Sequence, residues 1–285
     1  MLKIKVGGVE EHFNTPWFQL SEGDQLKDLG IDLDWVSCPG GTGEMTRLLR
    51  EEEIDIAVLL TEGIIADIAR GNPARILKVF VQSKLEWGIH TSAEVDLTDL
   101  SDNTDLRYAI SKSGSGSHLM AMLNAKQKGM SPGVMDFREV GSLQGALKAF
   151  ESKSVDVFLW ERFTTEPFCD SGQLRRIDSI VTPWPCFVIA LNPNFYAENK
   201  EKVDVLLDQV FHQADTLKKN PESTGVIADR FNLSIVSVQK WFDRVEWGSG
   251  QNLSLDDVTK VTEALKSLDA DGRMGMPSSD FLLRS

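Results

Sequence analysis

The side chains best equipped for chemistry gather in a few short stretches. Glu10-Glu-His-Phe-Asn-Thr-Pro-Trp17 is the richest. Glu11 and Asn14 can hydrogen-bond a ligand, and Trp17 can stack on a ring. Pro16 suits the first position of a following helix, which Asn14 or Thr15 equally suits as cap. In Cys38-Pro-Gly-Gly-Thr-Gly-Glu-Met45 the Thr42 hydroxyl and the bare amide of Gly43 stand where a helix should begin, a place that holds anions. Glu44 there reads as a first-turn carboxylate matched to the helix dipole. A second such turn, Lys112-Ser-Gly-Ser-Gly-Ser-His118, offers Ser113, Ser115 and Ser117, with His118 placed either to donate to a ligand or to cap the helix. Glu62 can accept from an amino group. Trp160, core or cleft wall, precedes Glu161 and Arg162, which suit a solvated lip; Trp184 stands between two prolines and can wall a cleft.

Other chemistries find less support. His12, His90, His118 and His212 lack the spacing of a zinc set, and no cofactor is expected. The serines show no partnership with His and Asp, and Ser113-Gly-Ser-Gly-Ser117 is not a nucleophile elbow. Cys38, Cys169 and Cys186 have no metal-type spacing; their odd number argues against a full disulfide framework and fits a reducing compartment. Asp269-Ala-Asp-Gly272 misplaces the glycine of a calcium loop and offers Asp280 where its glutamate belongs, so it reads as a turn.

The elements that must position these groups repeat. Asp55 and Asp156 stand 101 residues apart, as do Gly71 and Gly172 and the pairs Arg75-Ile76 and Arg176-Ile177. Each half reads as strand and helix in alternation, which predicts parallel α/β layers with right-handed crossovers. We expect two lobes: residues 1–85 with 188–285, and residues 86–187. Segments 76–83 and 87–91 should carry the chain across, and 182–191 should bring it back. The helical last third should then pack on the first lobe. Ligands of open parallel sheets lie beyond the carboxyl ends of the strands, which gathers the residues above around a cleft hinged at the crossings. The polar stretch 96–105 suits a surface.

Composition bounds the partners. Thirty Lys and Arg against 43 Asp and Glu give a net charge of −13, which disfavours nucleic acid and anionic membranes. No apolar run approaches the roughly 18–20 residues of a membrane span, and Met1-Leu-Lys-Ile-Lys-Val reads as a strand rather than a signal peptide. A cytoplasmic location is expected, or a periplasmic one if a leader precedes this sequence.

Gly-Thr-Gly-Glu-Met45, Glu53-Ile-Asp-Ile-Ala57, Gly114-Ser-Gly-Ser-His118, the run from Ala146 to Val157, and Gly172 with Arg175-Arg176 follow one another in an order that resembles the type II periplasmic-binding-protein fold. The branch is that of alkanesulfonate-, nitrate- and taurine-binding proteins and thiamine-pyrimidine-precursor synthases, in a cytosolic subgroup without a signal peptide. The resemblance implies a small polar ligand held between two closing lobes. The synthases' cysteine-rich motif is absent from this sequence, which favours a binding or sensor protein over a catalyst. A cytosolic enzyme of thiamine-precursor or menaquinone type, using His118 or a cleft glutamate as acid or base, and a transporter's substrate-binding protein are the alternatives. Two helix starts favour an accepting or negative group, the carboxylates an amine, and Trp17, Trp160 and Trp184 a flat body. An amino-heterocycle related to the thiamine pyrimidine meets all three demands; a small sulfonate or carboxylate meets the first.

Overall fold

The computed structural model describes residues 1–100, 105–131, 133, 135–266, 268 and 278–283. The turn at 269–272 lies outside the described residues, as do 101–104 of the polar stretch. Two five-stranded sheets carry the chain. The first is built from β1 (Leu2–Gly8), β2 (Ile31–Ser37), β3 (Ile56–Leu60), β4 (Arg75–Val81) and β10 (Phe187–Leu191), in the order β2-β1-β3-β10-β4. The second comprises β5 (Glu86–Ser92), β6 (Arg107–Ile110), β7 (Asp136–Glu139), β8 (Val157–Glu161) and β9 (Leu174–Val181), in the order β7-β6-β8-β5-β9.

The sequence repeat is a structural one. Helix α3 (Thr42–Arg50) precedes β3 as α6 (Leu143–Glu151) precedes β8, both pairs 101 residues apart. The layers are not wholly parallel. β10 runs antiparallel to β3 and β4, and β5 runs antiparallel to β8 and β9. In each sheet the reversed strand is the one that arrives from the other lobe, so it enters from the opposite edge of the molecule.

Burial explains the central strands. Ile56-Ala-Val-Leu-Leu60 and Phe187-Val-Ile-Ala-Leu191 are buried along their whole length, as strands covered on both faces must be. Helices α1 (Thr15–Glu22), α2 (Gln25–Asp28) and α4 (Thr61–Ala69) complete the first repeat, and α5 (Gly116–Gln127) and α7 (Glu166–Asp170) the second. Pro193 opens α8 (Pro193–Lys219), whose Asn192 side chain caps the Asn194 amide. Val203, Leu206, Leu207, Val210 and Leu217 form its buried stripe. With α9 (Ser223–Phe231), α10 (Ile235–Phe242) and α11 (Leu255–Lys266) it covers the first sheet, α8 packing on α1 and α11 on α4.

The two crossings, 82–85 and 182–186, are bonded to one another. Thr182 N donates to Leu85 O at 3.1 Å, Leu85 N to Thr182 Oγ1 at 3.2 Å, and Cys186 N to Ser83 O at 3.2 Å. Gln82 N donates to Glu246 O at 2.7 Å, so the last third braces the crossing. Among the described residues no helix is long and apolar enough to cross a membrane.

Candidate functional site

The carboxyl ends of β1, β3 and β8 and the starts of α3 and α5 converge between the lobes. They enclose a cavity of about 50 Å³. The first lobe contributes Val9, Glu11, Gly41, Thr42, Met45 and Leu60 to its wall, and the second Ser111, Ser115, Gly116, Ser117, Trp160 and Glu161. Leu85, Trp87 and Phe187 close it on the crossing side. By the measure of about 10–15 Å³ per water this space admits only a few waters, so a ring-sized ligand requires the lobes to part. Among the described residues no Lys, Arg or His lines it.

Its polar groups are set by local structure. The Ser115 side chain caps α5, accepting from His118 N. Ser117 Oγ accepts from Ser111 N at 2.9 Å and lies 3.0 Å from Ser115 Oγ. Thr42 Oγ1 accepts from Leu60 N at 3.2 Å, tying the start of α3 to the end of β3. Glu161 is buried, and its Oε2 accepts from Thr164 N at 2.7 Å and from Thr164 Oγ1 at 2.8 Å. His12 Nε2 lies 4.0 Å from that oxygen and is buried without a hydrogen-bond partner among the described residues.

Desolvation governs the charges here. Burial, and then the facing Glu161 carboxylate, push Glu11 up to about 8. Burial pushes Glu161 up to about 7 against the donation from Thr164, and holds His12 down at about 3. Two glutamates from opposite lobes thus have their ionisation opposed by burial, beside an imidazole that burial keeps neutral. Glu11 also forms part of an outer cavity of about 410 Å³, lined by Glu10, His12, Thr164, Phe168 and Asn232 among others.

Of the residues singled out by sequence, Glu11, Thr42, Ser115, Ser117 and Trp160 line the inner cavity. The others stand elsewhere. Trp17 is 0% exposed and packs beside Trp35 and Phe80 in the first-lobe core. Asn14 is buried, its Nδ2 donating to Val9 O at 2.8 Å. Trp184 is also buried; its Nε1 donates to Glu62 Oε2 at 2.8 Å, leaving Glu62 Oε1 buried without a partner among the described residues. Burial pushes Glu62 up to about 7. His118 accepts from Gly114 N at 2.9 Å through Nδ1 and sits edge-on to Phe137, outside the inner wall. Gly43 and Ser113 face a separate basic cavity at the cleft edge.

One expectation is reversed: Glu161 is 4% exposed rather than a solvated lip. Trp87, not singled out by sequence, is cavity wall. The end of β8 flags Glu161 by the strand-end rule; Trp87 carries no comparable signal, because β5 approaches the cavity at its amino end.

The comparisons agree with this architecture. The sequence model of the Ca3427-like PBP family matches residues 87–180. The Candida albicans CA3427 gene product, which defines a family with the generic periplasmic-binding-protein fold, is 27% identical, with TM-score 0.90 over 99% of this chain and 96% of that one. The alkanesulfonate-binding protein SsuA of Xanthomonas axonopodis pv. citri, bound to MOPS, is 16% identical, with TM-score 0.78 over 99% and 94%. The ligand-binding component of a Staphylococcus aureus ABC-type import system, with zinc bound, is 14% identical, with TM-score 0.77 over 100% and 97%. No curated protein sequence matches. With two like-ordered α/β sheets, paired crossings and a cavity between them, the chain belongs to the type II periplasmic-binding-protein fold.

Proposed function

We propose that the chain is a binding protein, a sensor or carrier, whose lobes 1–85 with 188–285 and 86–187 close over a small molecule with a flat apolar body and an amine or amidine head. The observation that carries this reading is the pair Glu11 and Glu161, brought from opposite lobes to the wall of a cavity that no cationic side chain lines among the described residues. A protonated amine between them lets both ionise and forms charge-assisted hydrogen bonds to each lobe. Trp87, Trp160 and Phe187 supply apolar walls suited to a ring. An amino-heterocycle of the aminopyrimidine kind fits these demands.

A second reading rests on the starts of α3 and α5, at Thr42 and Gly116, which both border the cavity. Helix starts favour anions, and the SsuA relative binds MOPS. A sulfonate here would have to lie against two carboxyls, so the amine reading is preferred. Binding is preferred over turnover because the cavity serines hydrogen-bond one another and Ser111 N rather than a base. An enzyme on this frame would use Glu11 or Glu161 as its acid or base.

Native mass spectrometry of gently purified protein, against a denatured control, tests the proposal. A stoichiometric intact amine supports it and names the class. A thermal-shift panel of aminopyrimidines and alkanesulfonates follows. Stabilisation by sulfonates alone would overturn the amine reading, and appearance of a new mass from an added candidate would replace binding with catalysis.

A further inference from the structure

A second cavity, of about 340 Å³, lies at the edge of the cleft on the far side of α3. Arg47, Arg50, Arg70 and Lys112 line it, against Asp67 as the one carboxylate among the described lining residues. Such a concentration of positive charge is unexpected in a chain of net charge −13. Arg50 is matched, its guanidinium donating to both Asp67 oxygens at 2.7 and 2.6 Å. Arg47 pairs with Glu51, which caps the end of its own helix. Arg70 and Lys112 make no ion pair among the described residues.

These two cations reach across the interlobe gap in opposite directions. Arg70, at the end of α4 in the first lobe, approaches the second-lobe loop so closely that a Cβ on Gly114 would stand 3.3 Å from its Nη1. Lys112, in the second lobe, lies over the first turn of α3, where a Cβ on Gly43 would meet its Cδ at 3.7 Å. A lysine over a helix start faces the positive end of the dipole. Closing the lobes thus draws together a helix start and two cations that make no ion pair among the described residues, while the nearby carboxylates are engaged elsewhere: Asp67 by Arg50, Glu44 by Gly40 N and Glu139 by Ser113 N. That arrangement opposes closure unless something negative sits among them.

We propose that this pocket is an oxyanion site, taking a phosphate-type tetrahedral anion that bridges Arg70 of one lobe and Lys112 of the other and so holds the cleft shut. The anion has two sources, free in solution or borne by the molecule in the inner cavity, since Thr42 borders both spaces. The bridge is independent of the head group recognised by Glu11 and Glu161.

Inorganic phosphate is the probe, with chloride at equal ionic strength as its control. Thermal melts of the wild-type protein, Arg70→Ala and Lys112→Ala are compared, with Arg138→Ala as an exposed cation outside the pocket. Phosphate at millimolar concentration should raise the wild-type and Arg138→Ala melting temperatures by about 2–4 °C over chloride. Both pocket variants should lose this rise while melting normally in chloride. If phosphate leaves the wild type unmoved, a co-purified phosphorylated or sulfonated molecule that both pocket variants release assigns the site to the ligand's own anion. A phosphate effect retained in both variants overturns the proposal, as does no effect together with an unchanged co-purified load. Neither result bears on the amine reading, which native mass spectrometry decides separately.

Discussion

Tryptophan truncations separate packing from recognition at the level of single residues. Trp17, enclosed by Trp35 and Phe80, should cost about 3–5 kcal/mol of stability when replaced by alanine, with little change in ligand affinity in the fraction that remains folded. Trp160 is half-buried on the cavity wall, stacked on Phe158 at 5.2 Å. Trp160→Ala should weaken binding of a flat ligand by about tenfold while lowering stability less than Trp17→Ala does. Paired thermal melts and calorimetric titrations check both statements; equal affinity losses would mean that Trp17 acts on the site after all. Trp184→Phe keeps an aromatic ring but removes the indole donor to Glu62 Oε2, and weakening the pairing of that buried carboxyl should cost about 1–3 kcal/mol. Sequence places Trp17 near the site because it follows a strand end, and Trp184 because it stands between two prolines at the return crossing. The placement fails at the side chain. Trp17 and Leu20 lie on one face of α1, and that face turns inward because α8 and β2 pack there. The apolar spacing of these two residues is visible in the sequence; the partner that claims their face is not.

The start of α5 shows how closely one element meets another across the cleft. A Cβ at Gly116 would fall 2.6 Å from Leu60 Cδ1 in the first lobe and 2.7 Å from Trp87 in the second. Gly116 is not among the glycines with positive φ, so alanine meets no backbone strain there. Gly116→Ala should act as a wedge, holding β3 and α5 apart. The expected result is a folded protein with a larger radius of gyration in solution scattering and affinity for the inner-cavity ligand reduced tenfold or more. An unchanged radius with unchanged affinity would show that the lobes close without this contact. Elements of this kind are the most legible part of the chain. The strand–helix alternation and the glycine/serine turn before α5 follow from local periodicity and turn chemistry, and the repeat from their recurrence 101 residues on. The reversal of β5 and β10 is not local. It depends on which edge the chain reaches after each crossing, and a buried apolar strand such as Phe187–Leu191 reads the same in either direction.

The pairing of Glu11 with Glu161 becomes a property of the whole molecule, because each comes from a different lobe. In the closed form burial pushes Glu11 up to about 8 and Glu161 up to about 7, well above the ordinary value of 4.5. Opening the cleft returns them to water. Between those limits the closed form holds more protons than the open one, so closure is favoured at low pH and weakens as pH rises through about 7 to 8. The groups around them leave the sign unchanged. His12 stays neutral, Arg162 is engaged by Glu86, and Glu62, held by Trp184 of the crossing, is raised by burial in the same direction as the pair. Without ligand, scattering should therefore show a more compact particle at about pH 5.5 than at about pH 8.5, and Glu11→Gln with Glu161→Gln should abolish the difference. Ligand charge then decides the direction of a second linkage. An amine binds the ionised carboxylates, so its uptake releases protons and its affinity should climb from about pH 6 to about pH 8 while the amine stays charged. A sulfonate needs the carboxyls protonated, takes protons up, and should bind more tightly at the acid end. Calorimetry in two buffers of different ionisation enthalpy reads that proton count directly. Proton release would place the amine between the lobes, and proton uptake would hand the inner cavity to an anion.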